Sequence, residues 1–192
     1  MSKSKRRRRS KQRKRAKLRK LMRKILQKRS RELQYAELLS KFQSYIDDHY
    51  HRGSITLYRW THDPYTGDDF RPQIFQSFSD RDITEYDVPS PTGSLKKVAS
   101  YVGRFTLSHY LTEEQAIAKY MELVSALTNS DHPERIDGFK ENKGTFVTRC
   151  NYSEEDALYG EVEENGHVNI LLCNGFDPQR VVDTTYTPVK IV

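Results

Sequence analysis

The sequence predicts an α+β fold: a basic N-terminal helix, then a mainly antiparallel sheet with one well-marked helix. Three observations carry this. The first 31 residues hold 18 Lys and Arg and no acid, so they cannot form a core of their own. Short β-prone runs follow, two of them flanking Asn165-Gly166, the strongest short hairpin signal. One long segment, opened by Thr112-Glu113-Glu114-Gln115, joins a capping box to apolar residues at helical period. Strands and helix in separate runs argue for α+β.

Within the arm, Leu18, Leu21, Met22, Ile25 and Leu26 fall at i, i+3, i+4, i+7 and i+8, one apolar stripe ringed by bases. The pattern continues through Leu33, Ala36, Leu38 and Leu39 to Phe42, Tyr45 and Ile46. No Gly or Pro interrupts it before Gly53. One helix over residues 11–48 is therefore expected, with residues 32–53 connecting arm to domain. The first carboxylate is Glu32. Before it, like charges at i, i+4 cost about a few tenths of a kcal/mol per pair. That half should fray in water and firm up when phosphates neutralise it.

Residues 54–192 form the predicted domain. Ser54-Ile55-Thr56-Leu57-Tyr58-Arg59-Trp60 alternates as a first strand, and residues 61–71 carry turn chemistry. A short strand is expected over 73–78, then a long loop over 79–94 containing Pro89, Pro91 and Gly93. Arg104-Phe105-Thr106-Leu107-Ser108 reads as a strand. The helix after Thr112 presents Ala116, Ile117, Tyr120, Leu123, Val124 and Leu127 on one face. Residues 129–143 are polar and read as a loop, and residues 144–150 as a strand. Residues 158–164 and 167–172 flank the hairpin turn. Asp177-Pro178 marks a helix start with Pro at its first position, and residues 189–192 are apolar enough for a last strand.

Composition narrows the function classes. Residues 32–192 hold 15 bases against 26 acids, a net of −11 hidden beneath an overall +7. The two cysteines, Cys150 and Cys173, read as buried thiols of a reducing compartment. Six histidines form no ligand cluster, so no metal site is expected. No apolar run is long enough to span a bilayer, and the arm lacks the h-region of a secretory signal. Walker-type and dinucleotide Gly-rich loops, a G-x-S-x-G elbow and H-E-x-x-H are all absent.

The arm points to nucleic acid. Lys5, Arg6, Arg7, Arg8, Arg9, Lys11, Arg13, Lys14, Arg15, Lys17, Arg19, Lys20, Arg23 and Lys24 are its candidate phosphate contacts. An anionic membrane surface and a nuclear-import signal or solvated tail are the alternatives. The absence of Trp and Phe before Phe42 weighs against the membrane. No RNP aromatics, KH loop or zinc-finger spacing separates RNA from DNA.

One constellation in the domain suggests chemistry. The first strand ends in Tyr58-Arg59, a later strand carries Thr106-x-Ser108 and runs into the capped helix, and a late strand carries Glu161-x-Glu163. In this order the chain, over residues 54–172, resembles the ADP-ribosyltransferase superfamily. The resemblance implies that Arg59 holds the phosphates of NAD and that Ser108 lines the nicotinamide pocket. It implies that Glu163 binds the ribose hydroxyl and stabilises an oxocarbenium-like transition state. Period-2 spacing would put Glu161 and Glu163 on one face of their strand. Thr106 stands where the family usually has Ser. Read without the resemblance, Arg59 is a surface or salt-bridged strand residue, Thr106 and Ser108 line an exposed strand face, and Glu161 and Glu163 form a solvated hairpin face.

Taken together, the sequence predicts an intracellular protein, cytoplasmic or, in a eukaryote, nuclear. It would bind nucleic acid or a ribonucleoprotein through residues 5–31, with no cofactor. A transferase-like enzyme delivered by the arm, using NAD, is the alternative, and a non-catalytic adaptor whose acidic domain contacts a protein partner is a third.

Overall fold

The computed structural model describes residues 32–72 and 88–192. The arm, the strand expected over 73–78 and most of the loop after it lie outside the described residues.

Residues 32–53 are not one continuous helix. Tyr35 sits in the left-handed region (φ 62°, ψ 28°), and helix α1 begins only at Ala36–Leu39. A 3-10 turn, Ser40–Phe42, leads into α2, Gln43–His49, and then into strand β1, Tyr50–His51. Ahead of α1 the backbone pairs with the sheet. Leu33 bridges Cys173, the Gln34 N–H donates to the Leu172 carbonyl (2.8 Å), and the Asn174 N–H donates to the Glu32 carbonyl (2.6 Å). These bonds replace the i→i−4 pairing that the apolar period suggested. Leu39, Phe42 and Ile46 are almost fully buried. The segment therefore belongs to the core instead of connecting to it.

The other strands are β2 (Ile55–Thr61), β3 (Leu107–Tyr110), β4 (Phe146–Tyr152), β5 (Ala157–Gly160), β6 (His167–Leu172) and β7 (Val189–Lys190). They form one seven-stranded sheet in the order β1-β5-β6-β3-β2-β4-β7, antiparallel at every pairing. The α+β class holds. The third predicted strand, however, starts at Leu107 and not at Arg104. Phe105 and Thr106 are spent on turns that donate back to the carbonyls of Val102 and Gly103.

Four helices complete the described fold: α3 (Leu95–Gly103), α4 (Glu113–Thr128), α5 (Arg135–Lys143) and α6 (Pro178–Val181). The capping box on α4 is present in full, as is the Asp177 cap on α6. Helix α5 replaces the loop expected over 129–143. Val98, Tyr101 and Val102 bury one face of α3, which the sequence reading passed over.

Among the described residues three apolar clusters hold the sheet, the smallest of them Tyr110, Ala116 and Val147 with Trp60 packed against it. Leu39, Phe42 and Ile46 pack with Val102, Phe105 and Leu171. Leu57, Leu107 and Ile170 pack with Phe70, Val168 and Val181. Among the described residues no helix is long and apolar enough to cross a membrane.

Candidate functional site

The sheet is nearly two sheets. β2 pairs with β4 from Ile55↔Tyr152 to Thr61↔Phe146, and β3 pairs with β6 from Leu107↔Ile170 to Tyr110↔His167. Between these halves, β2 and β3 meet at a single register pair, Tyr58↔Tyr110. Beyond it the Arg59 guanidinium takes the place of the ladder: Nη1 donates to the Ser108 carbonyl (2.9 Å) and Nε to the Asp69 carbonyl (2.6 Å). A cleft of about 200 Å³ opens at this split, small beside ligand pockets of about 300–1,000 Å³.

Aromatic rings form one wall. Trp60 lies 5.5 Å from Tyr110, 5.3 Å from Tyr120 and 6.2 Å from Phe139, centroid to centroid. Its indole N–H donates to the Ala116 carbonyl of α4 (2.8 Å), which fixes the ring.

Among the described residues two cations line the cleft. Arg59 is only 8 % exposed, and burial pulls its pKa down without discharging it. Lys143, the last residue of α5, lines the same cleft. Burial, and then the Arg59 charge beside it, lower its pKa to about 8. Gly144 delivers it there. Its φ of +71° with ψ of 177° is a conformation reserved for glycine, and a Cβ would lie 2.0 Å from the Thr61 carbonyl oxygen. Only glycine lets the end of α5 pass so close to β2.

Asp69 also borders the cleft, but its carboxylate is committed to its own loop. It accepts from the Thr66 N–H (2.7 Å) and faces the His62 ring at Nδ1 (2.7 Å). The other His62 nitrogen lies 2.9 Å from the Glu141 carbonyl, tying the loop to α5. Partial burial works against the imidazolium, but the bonds to Asp69 and Glu141 outweigh it and raise its pKa.

On the other side of Arg59, His109 is fully buried. Burial, then the Arg59 charge, hold it neutral. With Nδ1–H directed at the Leu107 carbonyl (3.3 Å), its Nε2 accepts from the Tyr152 hydroxyl (2.7 Å). Burial pushes the Cys150 thiol up to about 12, an inert thiol, and both cysteines are free and buried.

Of the residues singled out from sequence, Arg59 and Ser108 both border the cleft. Glu163 does not line it. Strand β5 ends at Gly160, so Glu161 and Glu163 fall in the connection to β6 and not on the expected strand. That connection closes on itself: the Glu163 N–H donates to the His167 carbonyl (2.9 Å) and the Gly166 N–H to the Glu163 carbonyl (2.8 Å). The Glu163 carboxylate sits 2.8 Å from His167 Nδ1, with its side chain 54 % exposed. It reaches the cleft only through its field. After burial, the charges of Glu163 and Glu122 help push the Tyr110 phenol up to about 12. Glu161 instead lies 3.6 Å from His49.

The candidate phosphate contacts from Lys5 to Lys24 lie outside the described residues. No group of three or more His, Cys, Asp or Glu among the described residues is placed to hold a metal.

Sequence reasoning missed Trp60, Phe139 and Lys143 as neighbours. Pro133 ahead of α5 and Gly144 after it were available as helix punctuation and would have located that helix. Nothing local marks Lys143. Compared with protein-family models, curated proteins and solved structures, the chain matches none.

Proposed function

We propose that this chain binds nucleic acid, or a ribonucleoprotein, through its basic arm inside the cell, and that the acidic domain is the body to which the arm is attached. One observation carries the reading: 18 bases and no acid in residues 1–31, against a net of −11 in residues 32–192. An acid-rich domain repels phosphates, so their contacts fall to the arm. Glu32, where acids first appear, already accepts from the Asn174 N–H just past the end of β6.

The test is the salt dependence of binding. If roughly six to ten arm cations meet phosphates, log K for duplex DNA falls against log salt with a slope of about −5 to −9. Changing Arg6, Arg7, Arg8 and Arg9 to Gln should flatten that slope by up to about 4 and weaken all sequences alike. A salt-independent affinity would assign binding to the domain instead.

A second reading, an ADP-ribosyltransferase-like enzyme using NAD, has one observation in its favour: Arg59 and Ser108 meet at the cleft. Glu163 stands outside it, bonded to His167. If this reading is right, the protein turns over NAD in the presence of an acceptor and Glu163→Gln abolishes that turnover. Absence of NAD binding would end it.

A further inference from the structure

We propose that the cleft at the split of the sheet is a binding site for a small planar aromatic anion: one ring bearing a phosphate or carboxylate. The ring would lie along Trp60 and Phe139, and the anionic group between Arg59 and Lys143. This site is independent of the arm.

The geometry supplies both halves of such a ligand's complement. Trp60, Tyr110 and Phe139 form an aromatic wall whose main ring is held by its bond to Ala116. At the same cleft, Arg59 is held by two backbone carbonyls, and Lys143 is delivered by a turn that only glycine can make. Two like charges brought together out of water repel each other. An anion between them eases that repulsion and meets two cations already partly withdrawn from water at one cleft. Among the described residues lining the cleft, the one carboxylate is that of Asp69, and it is turned to Thr66 and His62. A volume of about 200 Å³ suits a single ring with one substituent and excludes a folded-in oligonucleotide.

Binding is then linked to the proton on Lys143. The groups facing that region are Arg59 from β2, Asp69 and His62 from the loop after it, and Tyr110 from β3. Arg59 stays charged, and Tyr110 stays neutral to about 12. His62 is spent on Asp69 and Glu141. Lys143 loses its charge near 8, so affinity for the anion should fall as pH rises through that value.

Trp60 is the only tryptophan in the chain, so its fluorescence reports this cleft and not the arm. The full-length protein is titrated with phenyl phosphate and with benzoate, which separates phosphate from carboxylate. Benzyl alcohol tests the ring without charge, and inorganic phosphate the charge without a ring. Expected are a saturable Trp60 change below about 1 mM for at least one of the two anions, and affinity about tenfold or more weaker for benzyl alcohol. Lys143→Met should lose about tenfold, whereas Lys143→Arg should keep affinity within about threefold. Between about pH 7 and about pH 9.5 the wild type should weaken about tenfold while Lys143→Arg stays level.

Emission of each variant without ligand, matched to wild type, establishes that the site is folded. If Lys143→Met fails that check, Lys143→Arg and the pH profile decide alone. No saturable change up to about 10 mM, benzyl alcohol binding as well as the anions, or an affinity indifferent to both Lys143→Met and pH would each overturn the proposal.

Discussion

Two apolar regions that pack on the sheet, one around Phe42 and one around Trp60, differ in what borders them. Leu39, Phe42, Ile46 and Val102 are almost fully buried, and Arg52 approaches their cluster at Cys173, with Nη1 3.8 Å from Sγ. Around Trp60, Tyr110 and Phe139 the rings pack at 5.5 and 6.2 Å, and the Trp60 indole and the Tyr120 phenol donate to the Ala116 and Gly144 carbonyls. There the wall stops at two cations. The first arrangement buries its apolar side chains almost completely. The second gives up part of that burial to keep a concave, charged surface. Stability should reside in the first and ligand chemistry in the second.

Truncating each region breaks or sharpens that contrast. Phe42→Ala, at a 2 % exposed site, should cost about 3–5 kcal/mol in urea unfolding. Phe139→Ala, half-buried in α5, should cost only about 1 kcal/mol. Equal losses would mean that the cleft wall is simply more core.

Gly144→Ala is next in size. It adds a Cβ against the Thr61 carbonyl in a backbone conformation closed to other residues, so about 2–4 kcal/mol should be lost. The Trp60 emission should shift as well, because α5 can no longer close on β2. A silent substitution would show that Lys143 reaches the cleft by some other restraint.

Thr112→Ala removes the cap of α4, whose side chain accepts from the Gln115 N–H (3.2 Å), and should cost about 1 kcal/mol by thermal unfolding. Because Ala116 on that helix anchors Trp60, the same variant should broaden the cleft's response to ligand while leaving the Phe42 region intact.

The smallest effect is in the pH dependence. His62 has a raised pKa in the fold, so its contribution is fully present below its unfolded value of about 6.5. That contribution is lost as pH rises through the raised value. Lys143 has the opposite sign: with its pKa lowered to about 8, its charged form opposes folding below that pH. The penalty is relieved as pH climbs toward an unfolded value of about 10.4. Urea midpoints of wild type against His62→Gln should therefore converge above neutrality. Lys143→Met should be the more stable form below about pH 8 and should lose that advantage as pH climbs toward about 10.4. Parallel curves in both cases would remove these groups from the balance.

What could be read locally is what the fold kept. Thr112 with Gln115, Asp177 with Pro178, and the alternation of residues 55–61 each specify a bond or a face within a few residues, and all are present. Helix α5 was hidden because only Ile136 and Phe139 give it an apolar side, and none of its residues is buried. The continuous helix expected through residues 32–35 failed for a nonlocal reason. Leu33 and Gln34 find backbone partners on Cys173 and Leu172, well over a hundred residues away. The expected carboxylate strand failed because Gly160 ends β5 before Glu161.

By itself the sequence determined the charge of the arm, the α+β class, the caps and most strands, because charge is additive along the chain and caps and alternation act within a few residues. The tertiary structure decided that β2 and β3 meet at one pair, that Arg59 fills the gap, and that Lys143 arrives beside it. Those positions depend on distant backbone pairings, and a lowered lysine pKa on desolvation and a neighbouring charge, neither of which is written in the residues next to it.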